Sequence, residues 1–190
     1  MTLRQAQDGA SDPWLVAIDL QHVFAAADSP WASPAFETAA AGVARLAPAF
    51  GDRTVFTRYV APERPQGAWN QYFQVWPFAL VPHDDPLYDL DERFRDAARI
   101  ETRETFGKWD AELHAAIGEA SEIVLAGVST DCCVLSTALA AADAGIRVRL
   151  VVDACAAPTA ADHERAILTM EMYAPLIELT SVDAVLAGLN

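Results

Sequence analysis

Cys132 and Cys133 follow a short polar turn in Gly127-Val128-Ser129-Thr130-Asp131-Cys132-Cys133-Val134, directly after the apolar run Ile123-Val124-Leu125-Ala126. The order reads as strand, turn and helix, with both thiols in the first turn of the helix. A helix N-terminus has unpaired N–H groups and a positive partial charge, which favour a thiolate and can receive an oxyanion. Attack of a thiol on a carbonyl is the chemistry this pattern permits. The plainer alternative has Thr130 or Asp131 capping the helix and the cysteines serving as small buried hydrophobes.

Asp19 closes a second apolar run, Trp14-Leu15-Val16-Ala17-Ile18. A carboxylate at such a strand end can act as general base and acid in a partly buried site, or can cap the next turn. Lys108 is the single lysine beside 12 arginines and lies in Thr105-Phe106-Gly107-Lys108-Trp109. It is either a site cation or a solvated loop residue. Other chemistries lack their signals. The sequence has no Gly-rich phosphate loop and no Cys-x-x-Cys, and its histidines, at 22, 83, 114 and 163, never pair at zinc-ligand spacing. Neither a metal nor a cofactor is expected.

These residues need a frame to bring them together. Short apolar runs predict strands over 14–18, 54–57, 122–126, 148–152 and 176–179, with a more polar one over 99–103. Helical patterns cover 34–48, 94–98, 110–117, 132–144, 162–172 and 182–187. Residues 59–90, with five prolines and many aromatics, predict a long loop region. Alternating helices and mostly apolar strands predict a three-layer α/β/α fold around a Rossmann-like, mostly parallel sheet of about six strands. Ligands of such sheets bind outside the carboxyl ends of the strands. Asp19, Arg58, Arg103, residues 127–133 and Asp153 all fall at such ends.

The 190 residues predict a single domain spanning 1–190, with a flexible lead over 1–12. The 53% of hydrophobic residues can build a core. A net charge of −14 argues against nucleic acid and acidic membrane surfaces as partners. No run of about 18 apolar residues suggests a membrane span, and the polar N-terminal stretch lacks the apolar centre of a signal peptide. Three cysteines, two of them adjacent, suit a reducing compartment. A cytoplasmic location is the expectation.

With these motifs in hand, the sequence resembles the isochorismatase-like cysteine hydrolases, a superfamily that includes nicotinamidases, carbamoyl-amide hydrolases and isochorismatases. The resemblance runs from about Trp14 to Leu179. It rests on Asp19-Leu20-Gln21 after the first strand, on Gly127 to Val134 against the pattern Gly-[Val/Ile]-x-Thr-Asp-x-Cys-Val, on Ser136-Thr137-Ala138-Leu139, and on Asp153-Ala154. It implies that Cys133 is the nucleophile and Asp19 its base and acid. It also implies a cis Val128–Ser129 peptide, with the backbone N–H groups of Ser129 and Cys133 forming an oxyanion hole. The implied reaction is cleavage of an amide or carbamoyl-type C–N bond of a small molecule through a thioester.

Two departures from the family pattern matter. The family lysine ends the third strand, three residues before an aromatic, and counting back from Phe106 gives Arg103. Either Arg103 replaces the lysine or Lys108 reaches in from the loop, and register favours Arg103. The two differ because arginine does not exchange a proton near neutral pH. The metal ligands of nicotinamidases have no counterpart in Thr57-Arg58-Tyr59, and isochorismatases proper lack the nucleophilic cysteine. A metal-free cysteine amidase is the resulting expectation. Gln21, Phe24, Arg58, Trp69, Tyr72 and Trp76 are the expected substrate-binding residues, with Arg58 suited to a carboxylate. The aromatic 59–90 region also suits a homo-oligomer, a dimer or tetramer. A silent binding protein and a thiol redox protein using Cys132 and Cys133 are the alternatives.

Overall fold

The computed structural model describes residues 12–189. The expected flexible lead therefore lies outside the described residues apart from Asp12, whose carboxylate accepts a 2.8 Å hydrogen bond from Arg53. The described chain runs β1 (Trp14–Ile18), α1 (His22–Ala25), α2 (Phe36–Phe50), β2 (Thr54–Tyr59), α3 (Ala68–Val75), β3 (Ile100–Arg103), α4 (Ala111–Ala116), β4 (Glu122–Val128), α5 (Leu135–Asp143), β5 (Arg147–Ala156), α6 (Ala160–Glu171), β6 (Ile177–Thr180) and α7 (Val182–Gly188). The six strands form one sheet in the order β3-β2-β1-β4-β5-β6, and every neighbouring pair is parallel.

Central strands of such a sheet are covered on both faces, so they are apolar throughout rather than alternating. β1 does this with five residues. Leu15 and Ala17 face a core built from α2 and α7, while Val16 and Ile18 face a second core built from α4, α5 and α6. Three layers result, as the alternation of elements predicts.

The order of strands reverses direction between β1 and β4, and this is the crevice where ligands of open α/β sheets bind. Asp19 follows β1 and Cys133 follows β4, so the two chemistry-bearing segments meet there. Gly127 makes that approach possible. Its φ is +122°, and a Cβ at this position would lie 2.2 Å from the Ile18 carbonyl oxygen.

Two expectations about elements need correction. The 59–90 region contains the helix α3, which its prolines and crowded aromatics hide from a periodicity reading. Residues 94–98 form turns rather than a helix. There Phe94 is buried against Phe56, with ring centroids 4.9 Å apart, so packing of one side chain and not helical periodicity accounts for the apolar signal.

Candidate active site

The loop after β4 enters α5 through one wide π-type turn over Thr130–Val134. The Val134 N–H reaches back to the Ser129 carbonyl at 3.1 Å, and the Val128–Ser129 peptide is cis. This turn buries the Cys133 side chain at the base of the crevice and leaves Cys132 half-buried beside it. The Ser129 hydroxyl donates to the Asp131 carboxylate, which fixes the outer part of the turn.

Asp19 adopts a left-handed backbone conformation, with φ +47°. Asp is among the few non-glycine residues that tolerate this region, and such strain collects at functional positions. Its carboxylate is fully buried. Oδ1 accepts from Thr57 Oγ1 at 2.6 Å, and Oδ2 lies 2.9 Å from Lys108 Nζ. Lys108 is equally buried and also donates to the Thr105 carbonyl at 2.6 Å. Its ammonium sits 5.1 Å from the centroid of the Tyr59 ring. Burial of one charge without its partner costs several kcal/mol, about 3–5 by loss of either member, so Asp19 and Lys108 depend on each other.

The structure corrects the register argument for Arg103. Its guanidinium turns away to an acidic surface cluster, bonding Asp110 and lying 3.3 Å from Glu101 and 3.2 Å from Glu112. Lys108, on the loop 104–110 between β3 and α4, occupies the cation position beside Asp19. The Lys108 N–H is tied to Thr137 Oγ1 at 3.0 Å.

The Cys133 thiol is not poised as a thiolate at rest. Burial pushes it well above its usual value; the Asp19 charge and a hydrogen bond to Asp19 raise it further, while Lys108 pulls it down. The expected depression by a helix N-terminus is outweighed because the thiol is desolvated. Burial thus favours the protonated thiol, with the Asp19 carboxylate against it.

Above Cys133 opens a cavity of about 390 Å³. Phe24, Tyr72 and Trp76, all expected in the pocket, line it together with Ser129. Trp31, Tyr59 and Phe106 line it as well and escaped the sequence reading. Trp31 is the hub of the wall, with ring centroids 6.2 Å from Phe24, 5.9 Å from Tyr59, 6.0 Å from Tyr72 and 6.2 Å from Trp76. Trp31 follows Ser29-Pro30 in a turn without period, so its only signal was its size next to a turn.

Three other expected binding residues lie elsewhere. Trp69 stands behind the wall, edge-on to Tyr72 at 5.3 Å and to Phe106 at 5.2 Å. Arg58 lines a separate surface depression with Asp89, Glu92 and Arg95, since alternation along β2 points it away from the crevice. Gln21 is wholly buried and acts on the main chain. Its Oε1 accepts from the Tyr59 N–H at 2.8 Å, and its Nε2 donates to the carbonyls of Tyr59 and Tyr88 at 2.9 and 2.7 Å. Among the described residues, no group of three His, Cys, Asp or Glu is arranged to hold a metal ion, and no helix is long and apolar enough to cross a membrane.

No curated protein matches the sequence. Solved structures of similar fold include a cysteine hydrolase from Pseudomonas syringae pv. phaseolicola, with a TM-score of 0.81 and 16% identity over 93% of this chain and 92% of that one. An isochorismatase-like hydrolase from Alkaliphilus metalliredigens has a TM-score of 0.80 and 19% identity over 95% and 100% of the two chains. The N-carbamoylsarcosine amidase from Thermoplasma acidophilum has a TM-score of 0.70 and 18% identity over 91% and 98%. At these identities the likeness is one of fold. A model of the isochorismatase domain matches residues 13–181, which is most of the sequence and includes Asp19, Lys108 and Cys133; the chain belongs to the isochorismatase family.

Proposed function

We propose that this protein is a cysteine-dependent hydrolase of a small, uncharged amide or carbamoyl compound. The observation that carries the reading is the buried Asp19–Lys108 pair beside the Cys133 thiol, under an aromatic chamber. Asp19 takes the thiol proton as Cys133 Sγ attacks the carbonyl carbon. The oxyanion rests on the N–H groups of Ser129 and Cys133. Asp19 returns its proton to the leaving nitrogen, the C–N bond breaks, and a thioester remains. Water, deprotonated by Asp19, then attacks the thioester, and the thiol is reformed with release of the acid. Lys108 holds Asp19 in position and stabilises the negative charge that passes between carboxylate and sulfur.

The lining of the chamber supports the neutral substrate. Among the described residues it includes no Lys or Arg and one acid, Asp131, and its walls are aromatic. A carboxylate-bearing substrate would enter without a counter-ion. Lys108 beside Asp19 also supports the hydrolase over a silent binding protein.

The test is ammonia release from a panel of neutral and carboxylate-bearing primary amides and carbamoyl compounds. Turnover of neutral members, lost in Cys133→Ala and kept in Cys132→Ala, is the expected result. Undiminished turnover in Cys133→Ala would sink the assignment.

A further inference from the structure

Tyr59 and Tyr88 are neighbouring tyrosines with almost no exposure, 1% and 0%. Their hydroxyls have different fates. The Tyr88 hydroxyl donates to the Ala79 carbonyl. The Tyr59 hydroxyl is buried and has no hydrogen-bond partner among the described residues. A buried polar group left unpaired is costly and rare, and each one asks for a reason. Packing does not supply one. Phenylalanine would fill the same space, keep the edge-on contacts with Trp31 and Tyr88, and keep the ring under Lys108.

Position supplies the reason. Tyr59 ends β2, at the carboxyl edge of the sheet, and lines the chamber that contains Cys133. Its ring lies 5.1 Å from the Lys108 ammonium, which pairs with Asp19, so it stands beside the reacting groups. Burial holds its proton on far above the usual range, so it stays a neutral phenol. The Gln21 amide clamps the Tyr59 backbone from both sides, with one bond to its N–H and one to its carbonyl. A side chain held this firmly, with an unused donor on a ring that lines the chamber containing the nucleophile, is preorganised for a ligand.

We propose that the Tyr59 hydroxyl is the polar anchor of the substrate, donating a hydrogen bond to an acceptor atom of a neutral amide bound against Cys133. Gln21 is then a positioning residue that acts through Tyr59. The proposal rests on the hydrolase reading for the identity of the bound amide, and its test is chosen to separate the two.

Tyr59→Phe removes only the hydroxyl. Three readouts apply. The first is thermal unfolding, where an unpaired hydroxyl predicts an unchanged or raised Tm. The second is alkylation of Cys133 by two small probes, iodoacetamide, which carries an amide, and allyl bromide, which has no hydrogen-bonding group. The ratio of the iodoacetamide rate to the allyl bromide rate is expected to fall roughly tenfold, about what one net hydrogen bond is worth. Any general change in thiol reactivity cancels in this ratio. The third is kcat/KM for whichever amide the wild type turns over, with the same roughly tenfold fall expected. An unchanged probe ratio, or a Tm lowered by several degrees, would overturn the anchor. If the wild type hydrolyses no amide but the ratio still falls, the hydrolase reading fails and the anchor stands.

Discussion

The Lys108 main-chain N–H donates to Thr137 Oγ1 at 3.0 Å, and that hydroxyl donates onward to the Cys133 carbonyl at 2.6 Å. One buried side chain on α5 thus fixes the loop that carries the cation to the turn that carries the thiol. Thr137→Val keeps the shape and removes both bonds, leaving the Lys108 N–H unpaired. We expect a loss of about 1–3 kcal/mol in urea unfolding. A fall in kcat larger than the rise in KM is expected with it, since the reacting groups lose their spacing while the chamber walls stay. A variant with wild-type kcat would show that the link is structural only.

The cation itself is tested by two substitutions with opposite outcomes. Lys108→Met leaves Asp19 buried without its partner and should cost about 3–5 kcal/mol, with turnover lost. Arg103→Ala removes ion pairs to the at least partly exposed Asp110, Glu101 and Glu112 carboxylates and one hydrogen bond to the Thr102 carbonyl, each worth about 0–1.5 kcal/mol, and turnover should stay within a few-fold of wild type. Loss of turnover in Arg103→Ala with folding intact would return the role to the arginine.

Gly127→Ala tests the crevice. The added Cβ would meet the Ile18 carbonyl oxygen at 2.2 Å, at a φ of +122° that alanine rarely adopts. Both strand ends that carry the site would have to part. Circular dichroism and solubility should report loss of the native fold or a destabilisation of at least about 3 kcal/mol. A stable Gly127→Ala protein with full activity would mean that β1 and β4 can separate there without moving Asp19 from Cys133.

What was legible in the sequence follows a physical division. The central strands were readable because burial on both faces makes them short apolar runs, and the parallel sheet followed from their alternation with helices. Asp19 is readable because it sits directly at the end of such a run, and Cys133 is readable through the resemblance of Gly127 to Val134 to the family pattern. The cation was not, because Lys108 reaches Asp19 from the loop between β3 and α4, and loop geometry leaves no period in the sequence. Gln21 bonds backbone and not the cavity, and a side chain that bonds backbone looks the same in sequence as one that bonds substrate. Trp31 was missed for the same reason as α3. Both belong to segments whose conformation is set by packing of large rings on one another and not by local propensity.

The buried thiols give the pH dependence a definite sign. Burial pushes Cys155 up to about 12 and Cys133 well above its usual value, and Cys132 rises to about 11. In the unfolded chain a thiol titrates near 8.5, so below about pH 8 both states hold their protons and stability is level with respect to these groups. Between roughly 8.5 and 10, the unfolded chain sheds thiol protons that the native protein keeps. The native state then binds more protons, and unfolding becomes easier as pH rises, by at most about 1.4 kcal/mol per pH unit for each fully shifted thiol. Urea midpoints at pH 7.5, 9 and 10 should fall in that order, and Cys133→Ala should fall less steeply than wild type. Alkylation of Cys133 should keep accelerating above pH 8.5 for the same reason, in contrast to an exposed thiol that levels off. A midpoint that falls no more steeply in wild type than in Cys133→Ala, together with alkylation already at its maximum at pH 7, would mean that Cys133 rests as a thiolate. Asp19 would then have no thiol proton to take.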